Sequence, residues 1–218
     1  MPRLVFHEEG HRYELDGQPI PSNTQILKSE GLINDMFYTP DGRDRGIFIH
    51  AACWYSCEGA LDWDTVKPEH VNYIEAFERF VIESEFHVDY NELPVWGAPG
   101  FGTRLDVLGT GQFQVNGVFC RRRVIVDIKT GSVPAWVGLQ LGGQMSAVKE
   151  RIQAQDEGWT HLEEINGHPY PEIAFALQLN KNGTYRLKEF NDPTAEDTFR
   201  GLVYAHNWKA RNGFLKEK

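Results

Sequence analysis

Cysteine is scarce in this chain. Cys53, Cys57 and Cys120 are its three cysteines in 218 residues, an odd count that gives no disulfide framework and fits reduced thiols. Cys53 and Cys57 are four apart on a predicted helix and share a face, which we read as buried packing rather than a metal pair. Long apolar runs are missing too. No stretch approaches the ~20 residues of a membrane-spanning helix, and the Met1-Pro2-Arg3 start has no apolar signal segment. The expectation is a cytoplasmic protein with no membrane partner. Positive charge is also in deficit: 22 Lys and Arg against 31 Asp and Glu leave a net charge of −9. That excludes a surface coated in basic groups for nonspecific nucleic-acid binding, though a local stripe such as Arg121-Arg122-Arg123 can still meet phosphate. Repeats, linkers and low-complexity tracts are absent. With 41% hydrophobic and 24% charged residues, the chain reads as one domain, 1–218, with an N-terminal hairpin and helix elaboration over 1–40.

What is there reads as alternating strands and helices. Residues 3–20 predict a small hairpin around Asp16-Gly17, and Pro21-Ser22-Asn23-Thr24 a capped helix start running through about Leu32. Asp41–Gly59 predicts a helix with Gly46 near its start, where free amides favour an anion. Val71, Ile74, Phe77 and Val81 mark an amphipathic helix over 68–86. Strands are expected at 86–96, 102–108, 120–129, 161–165, 173–179 and 185–190. Asn116-Gly117 and Asn182-Gly183 are the hairpin turns, and closing helices run from Pro134 to about Ala154 and over 194–210. The fold class is α/β, a mixed central sheet flanked by helices. Trp54, Tyr55 and Trp136 read as core packing, with base stacking the alternative.

Chemistry concentrates between Gly102 and Gln144. Asp127 and Lys129 are two apart on a strand and project from one face, with Ile125 and Ile128 bracketing them. The turn at Asn116-Gly117 lets Asp106, 21 residues before Asp127 (127 − 106), lie on the adjacent antiparallel strand. Burying two acids and an amine together is costly unless a cation and an anionic substrate complete the balance. Divalent magnesium or manganese suits such oxygen donors. Gln140 and Gln144, four apart, share a helical face toward the same place.

The G-x-x-x-D element of Gly102–Asp106, the D-x-K of Asp127-Ile128-Lys129 and the glutamine at Gln140 together resemble the PD-(D/E)XK nuclease superfamily, most closely its RecB-like exonuclease branch. Gly46 to His50 looks like that branch's glycine-then-histidine element. The segments HRYELDGQPIPSNTQIL and NKNGTYRLKEF resemble flanking elements of phage-encoded members. The resemblance implies a restriction-endonuclease-like core and Mg²⁺ or Mn²⁺ held by Asp106, Asp127, the ring of His50 and the carbonyl of Ile128. Lys129 would position water, and Gln140 would orient Lys129 or hold DNA. Arg45, Arg123 and Gln144 are candidate substrate contacts. Glu92 lies where phage-type relatives often carry a further acid, with a surface acid equally open. Some members hold an iron–sulfur cluster on late cysteines; nothing after Cys120 can supply them, so none is expected.

The implied function is a metal-dependent DNA exonuclease of phage recombination or end processing in a bacterial cytoplasm, with a single-strand annealing or single-strand binding protein as a possible partner. A structure- or site-dependent endonuclease of the same fold is the alternative, and a non-catalytic nucleic-acid- or protein-binding protein the third reading.

Overall fold

The structure is a computed structural model describing residues 2–33, 39–115 and 117–215. The chain opens with a three-stranded antiparallel sheet, β1 (Leu4–His7), β2 (Arg12–Leu15) and β3 (Gln18–Ile20). Sequence reasoning expected one hairpin here; there are two. Asp16 and Gly17, at φ 52° and 75°, form the expected turn, the left-handed pair that matches strand twist. Ser22 then caps α1 (Asn23–Ser29), and Gln25 bonds back to the Ser22 amide to complete a capping box. α1 ends short of Leu32 because Gly31 turns left-handed at φ 74°. The amides of Gly31 and Leu32 bond back to the carbonyls of Lys28 and Leu27, the Schellman arrangement that closes a helix.

α2 (Pro40–Cys57) and α3 (Pro68–Glu83) follow, each with proline in its first turn. Gly46 sits inside α2 rather than at its start, so its amide is part of the helix and offers no anion site. The central sheet comprises β4 (His87–Gly97), β5 (Phe101–Val115), β6 (Val118–Lys129), β7 (Ile173–Leu179) and β8 (Tyr185–Phe190), in that spatial order. The β5–β6 hairpin is formed as expected, with Val115 paired to Val118; Asn116 of its turn lies outside the described residues. β6 and β7 are parallel, joined through α4 (Val137–Gln153), and the other neighbours are antiparallel. α5 (Ala195–Arg211) closes the chain.

Strand alternation sends apolar side chains to both faces of this sheet. Leu108, Ile125 and Ala174 pack with Leu27 of α1, Leu141 and Val148 of α4 and Phe199 of α5. Val107, Val126 and Phe175 pack with Ile49 of α2 and Ile74 and Phe77 of α3. The result is the expected mixed sheet between two helical layers. Among the described residues, no helix is long and apolar enough to cross a membrane.

Two further expectations fail. Residues 161–165 form no strand: the Glu163 carbonyl accepts from the Arg123 guanidinium, and an isolated bridge joins Ile165 to His168. Leu162 goes into the core as a loop residue. α4 begins at Val137 rather than Pro134, whose carbonyl accepts from the Val137 amide in a preceding turn.

Gly102 docks the N-terminal sheet on the central one. Its amide bonds to the Pro21 carbonyl at 2.9 Å, and a Cβ there would lie 2.3–2.7 Å from atoms of buried Tyr13. Only a glycine lets that ring lie on the strand. Gly102→Ala is therefore expected to cost about 1–3 kcal/mol through overpacking, read as a lower urea midpoint with an unchanged slope; an unchanged midpoint would refute this role.

Candidate metal centre

The site lies where β5 and β6 part. Their ladder runs from the hairpin down to Val107 opposite Val126. One residue further, Asp106 takes over with its side chain: Oδ2 accepts the Ile128 amide at 2.7 Å. Opposite Asp106 on its other side, the β4–β5 ladder passes from Asn91–Val107 to Leu93–Leu105 and skips Glu92, which is left-handed at φ 48°. A non-glycine residue in that region costs about 1–3 kcal/mol, and such residues gather at functional sites.

The kink turns Glu92 toward His50 of α2. His50 Nδ1 lies 3.5 Å from Asp106 Oδ1 and 3.8 Å from Glu92 Oε1, and one ligating atom from each of the three falls within 4.8 Å of the others. These separations exceed the ~2.7–2.9 Å of close charge-assisted hydrogen bonds, so the three groups surround a point with room between them. The other ring nitrogen, Nε2, is 2.9 Å from the Ile128 carbonyl. A carbonyl only accepts, so Nε2 carries the proton and donates, leaving the Nδ1 lone pair toward two carboxylates. A histidine held this way by a backbone carbonyl has the usual support of a metal ligand. Without a cation, a second proton must fill the gap. Burial alone would lower the ring's pKa, but the charge and hydrogen bond of Asp106 and the bond to Glu92 lift it to about 10, with Lys129 opposing. For Asp106, burial pushes upward, yet His50, Lys129 and the Ile128 amide together hold its carboxyl below the ordinary value. The donor set, one imidazole and two carboxylates, therefore fits a divalent cation. The Ile128 carbonyl, expected as a ligand, is engaged as the histidine's acceptor.

Asp127 stands beside this group and is almost wholly buried. Lys129 Nζ lies 2.6 Å from its Oδ2, and Gln140 Nε2 donates to its Oδ1 at 3.1 Å. Burial and the neighbouring Asp106 charge raise its pKa despite Lys129. Gln140 thus acts on Lys129 through Asp127. Gln144, one turn on, is fully buried and donates to the Arg104 carbonyl at 3.2 Å; it braces β5 and has no surface for a substrate contact. Arg104 went unnoticed in the sequence. Its Nε lies 2.7 Å from Glu92 Oε2, fixing the carboxylate so that Oε1 faces His50. The alternation of β5 places Arg104 two residues before Asp106, a signal too common to single it out.

A cavity of about 570 Å³ opens beside His50 and Lys129, lined also by Arg43, Arg45, Thr130 and Trp136. Arg45 donates to the Thr130 carbonyl at 3.3 Å, which places its guanidinium at the rim. Arg123, expected at phosphate, is instead 1% exposed. It pairs with Asp89 at 3.0 Å and donates to the carbonyls of Glu163 and Pro169. Its neighbours are engaged as well, Arg122 with Glu172 and Arg121 with Thr110 of β5, so Arg122 and Arg123 tie loops to β6 while Arg121 bonds across to the adjacent strand. Trp54 and Tyr55 are 40% and 46% exposed, contrary to the packing expected of them.

No family model and no curated protein matches this chain. Among solved structures, a protein of Eubacterium rectale named "putative exonuclease" is similar, with 12% identity, 91% of this chain and 77% of that one covered, and a TM-score of 0.45.

Calorimetric titration with Mn²⁺ is expected to show binding to the wild-type chain that Asp106→Asn or Glu92→Gln removes; binding undiminished in both variants would dismiss the cluster as a cation site. Arg123→Met should cost about 3–5 kcal/mol by leaving Asp89 unpaired. Equilibrium unfolding measures it, and a loss below about 1 kcal/mol would show the pair to be unimportant.

Proposed function

We propose that this protein is a divalent-metal-dependent phosphodiester hydrolase acting on DNA, an exonuclease in the first instance. The observation carrying the reading is the convergence of His50 Nδ1, Glu92 and Asp106 within 4.8 Å beside Lys129 and its buried partner Asp127, at an open cavity with arginines on its rim. His50, Glu92 and Asp106 would hold Mg²⁺ or Mn²⁺, with Asp127 adjoining them. When bound, the ion would acidify water and offset charge on the scissile phosphate.

The chain's own groups do the rest. Asp127 fixes the ammonium of Lys129, which holds the attacking water by hydrogen bond and counters the negative charge that grows on the phosphoryl oxygens. Gln140 keeps Asp127 in place. Arg43 and Arg45 reach the flanking phosphates from α2. A charge count favours an anionic substrate. With His50 neutral, Glu92, Asp106 and Asp127 bring three negative charges against two from Lys129 and Arg104, so a divalent ion leaves one positive charge over.

A polymeric substrate is supported by the shape of the cleft. A second cavity of about 650 Å³ shares Arg45 with the first and continues past Lys67 and His70 to Lys181, with Asp41, Asp44 and Glu69 also on its walls. Attack at a strand end, and a role in phage recombination or end processing, rest on the motif resemblance alone.

Lys129→Ala is expected to keep the fold, by circular dichroism, and to lower Mg²⁺-dependent degradation of linear DNA by about 10²–10³-fold or more. Unchanged degradation would reject the assignment, and equal degradation of covalently closed circles would replace the exonuclease with an endonuclease.

A further inference from the structure

The side of α2 that carries His50 extends beyond the cavity. Arg43, Ile47, His50 and Trp54 recur at the spacing of one helical stripe, about 16 Å from first to last at 1.5 Å per residue. Arg43 and His50 line the cavity. Gly46, beside the stripe, leaves the backbone bare, with Thr130 the nearest group at 3.9 Å from where a Cβ would stand. Ile47 is 60% exposed, and Trp54, one turn beyond His50, stacks on Tyr55 with ring centroids 5.1 Å apart and planes 27° from parallel. Trp54 is 40% and Tyr55 46% exposed. Paired exposed aromatics one turn from a metal-ligand candidate serve no packing purpose that α2 needs, since its buried side is supplied by Ile49, Ala52 and Cys53.

We propose that the Trp54–Tyr55 pair is a base-stacking platform that makes single-stranded DNA the preferred substrate of the cleft. This deepens the phosphodiesterase reading above and rests on it. An unpaired base offers a free π-face to Trp54, whereas a base inside a duplex has both faces covered. The occupant follows from charge as well as rings. Arg43, Arg45 and Lys129 provide cations for a phosphate chain on the cleft side of His50. On the far side, exposed Glu58 lies one turn past Trp54 and repels a phosphate there. The platform therefore takes a base, or two, next to the scissile bond, and the backbone is held on the other side.

The test separates the two readings. Binding of a short fluorescent oligothymidine is measured with Ca²⁺ in place of Mg²⁺, so that no hydrolysis is needed. Trp54→Leu, which keeps apolar bulk without a ring, is expected to weaken binding about ten-fold, and Trp54→Phe to restore it. An abasic oligomer of the same length should bind wild-type protein about ten-fold more weakly than oligothymidine, and blunt duplex should be insensitive to Trp54→Leu. Equal binding of abasic and base-bearing oligomers, or an unaffected Trp54→Leu variant, would overturn the platform even if that variant folds imperfectly, because the abasic arm uses the native chain. Hydrolysis of bis(4-nitrophenyl) phosphate by wild-type protein with Mn²⁺ probes the phosphodiesterase site without any base. Its absence alongside base-dependent binding would reject the enzyme reading and leave the platform standing.

Discussion

One hydrogen bond sets the geometry of this molecule: the Asp106 carboxylate accepting the Ile128 amide where a main-chain carbonyl would otherwise do so. A sheet ladder cannot end inside a protein without orphaning its donors. Here a side chain ends it, so β5 and β6 can separate without leaving that amide bare. The separation puts charged groups into the sheet rather than on its surface. Asp127, the residue before Ile128 on β6, has a side chain only 1% exposed and meets Lys129 there.

Holding a fork open requires braces on both prongs, and α4 provides them. Gln140 grips β6 through the Asp127 carboxylate, and Gln144 grips β5 through the Arg104 carbonyl. Spacing of four on a helix makes the two amides neighbours, so one rigid element sets the width of the gap. From the opposite face, α2 inserts His50 and bonds it to the Ile128 carbonyl. Ile128 is thus held through its amide by one candidate ligand and through its carbonyl by another. This linkage explains why acids can be buried here at tolerable cost: each carboxylate has a donor or a cation aimed at it before any ion arrives.

The sequence made half of this legible. Asp106, Asp127 and Lys129 could be placed together because strand alternation and a hairpin turn are local rules. The mixed sheet between helical layers follows from the same periodicities. Glu92 and Arg104 were not legible to the same degree. Their roles depend on a left-handed kink at a residue that has no glycine to announce it. Arg123 was misjudged because three consecutive arginines look like surface charge, while the carbonyls that satisfy it come from the loop at 163–169, some forty residues away. Burial of a charge is a tertiary fact. Trp54 and Tyr55 erred in the other direction: an aromatic run predicts packing, and nothing local says that α2 has already filled its buried face with Ile49, Ala52 and Cys53.

The acidic character of the chain bears on how a nucleic acid would be held. A protein of net charge −9 gains little from long-range attraction to a polyanion, and the cations of the cleft are diluted by Asp41 and Asp44 on the adjoining wall. On the proposed reading, affinity then draws on short-range contacts that salt screens little, stacking on an exposed ring among them. Binding built on rings and a few fixed cations releases few counterions, so it varies less steeply with ionic strength than that of a basic nuclease. It also discriminates by the state of the base rather than by its sequence. On the proposed reading, a molecule short of positive charge but bearing an aromatic pair one helical turn from its candidate ligand cluster would suit frayed or unpaired ends better than the interior of a duplex.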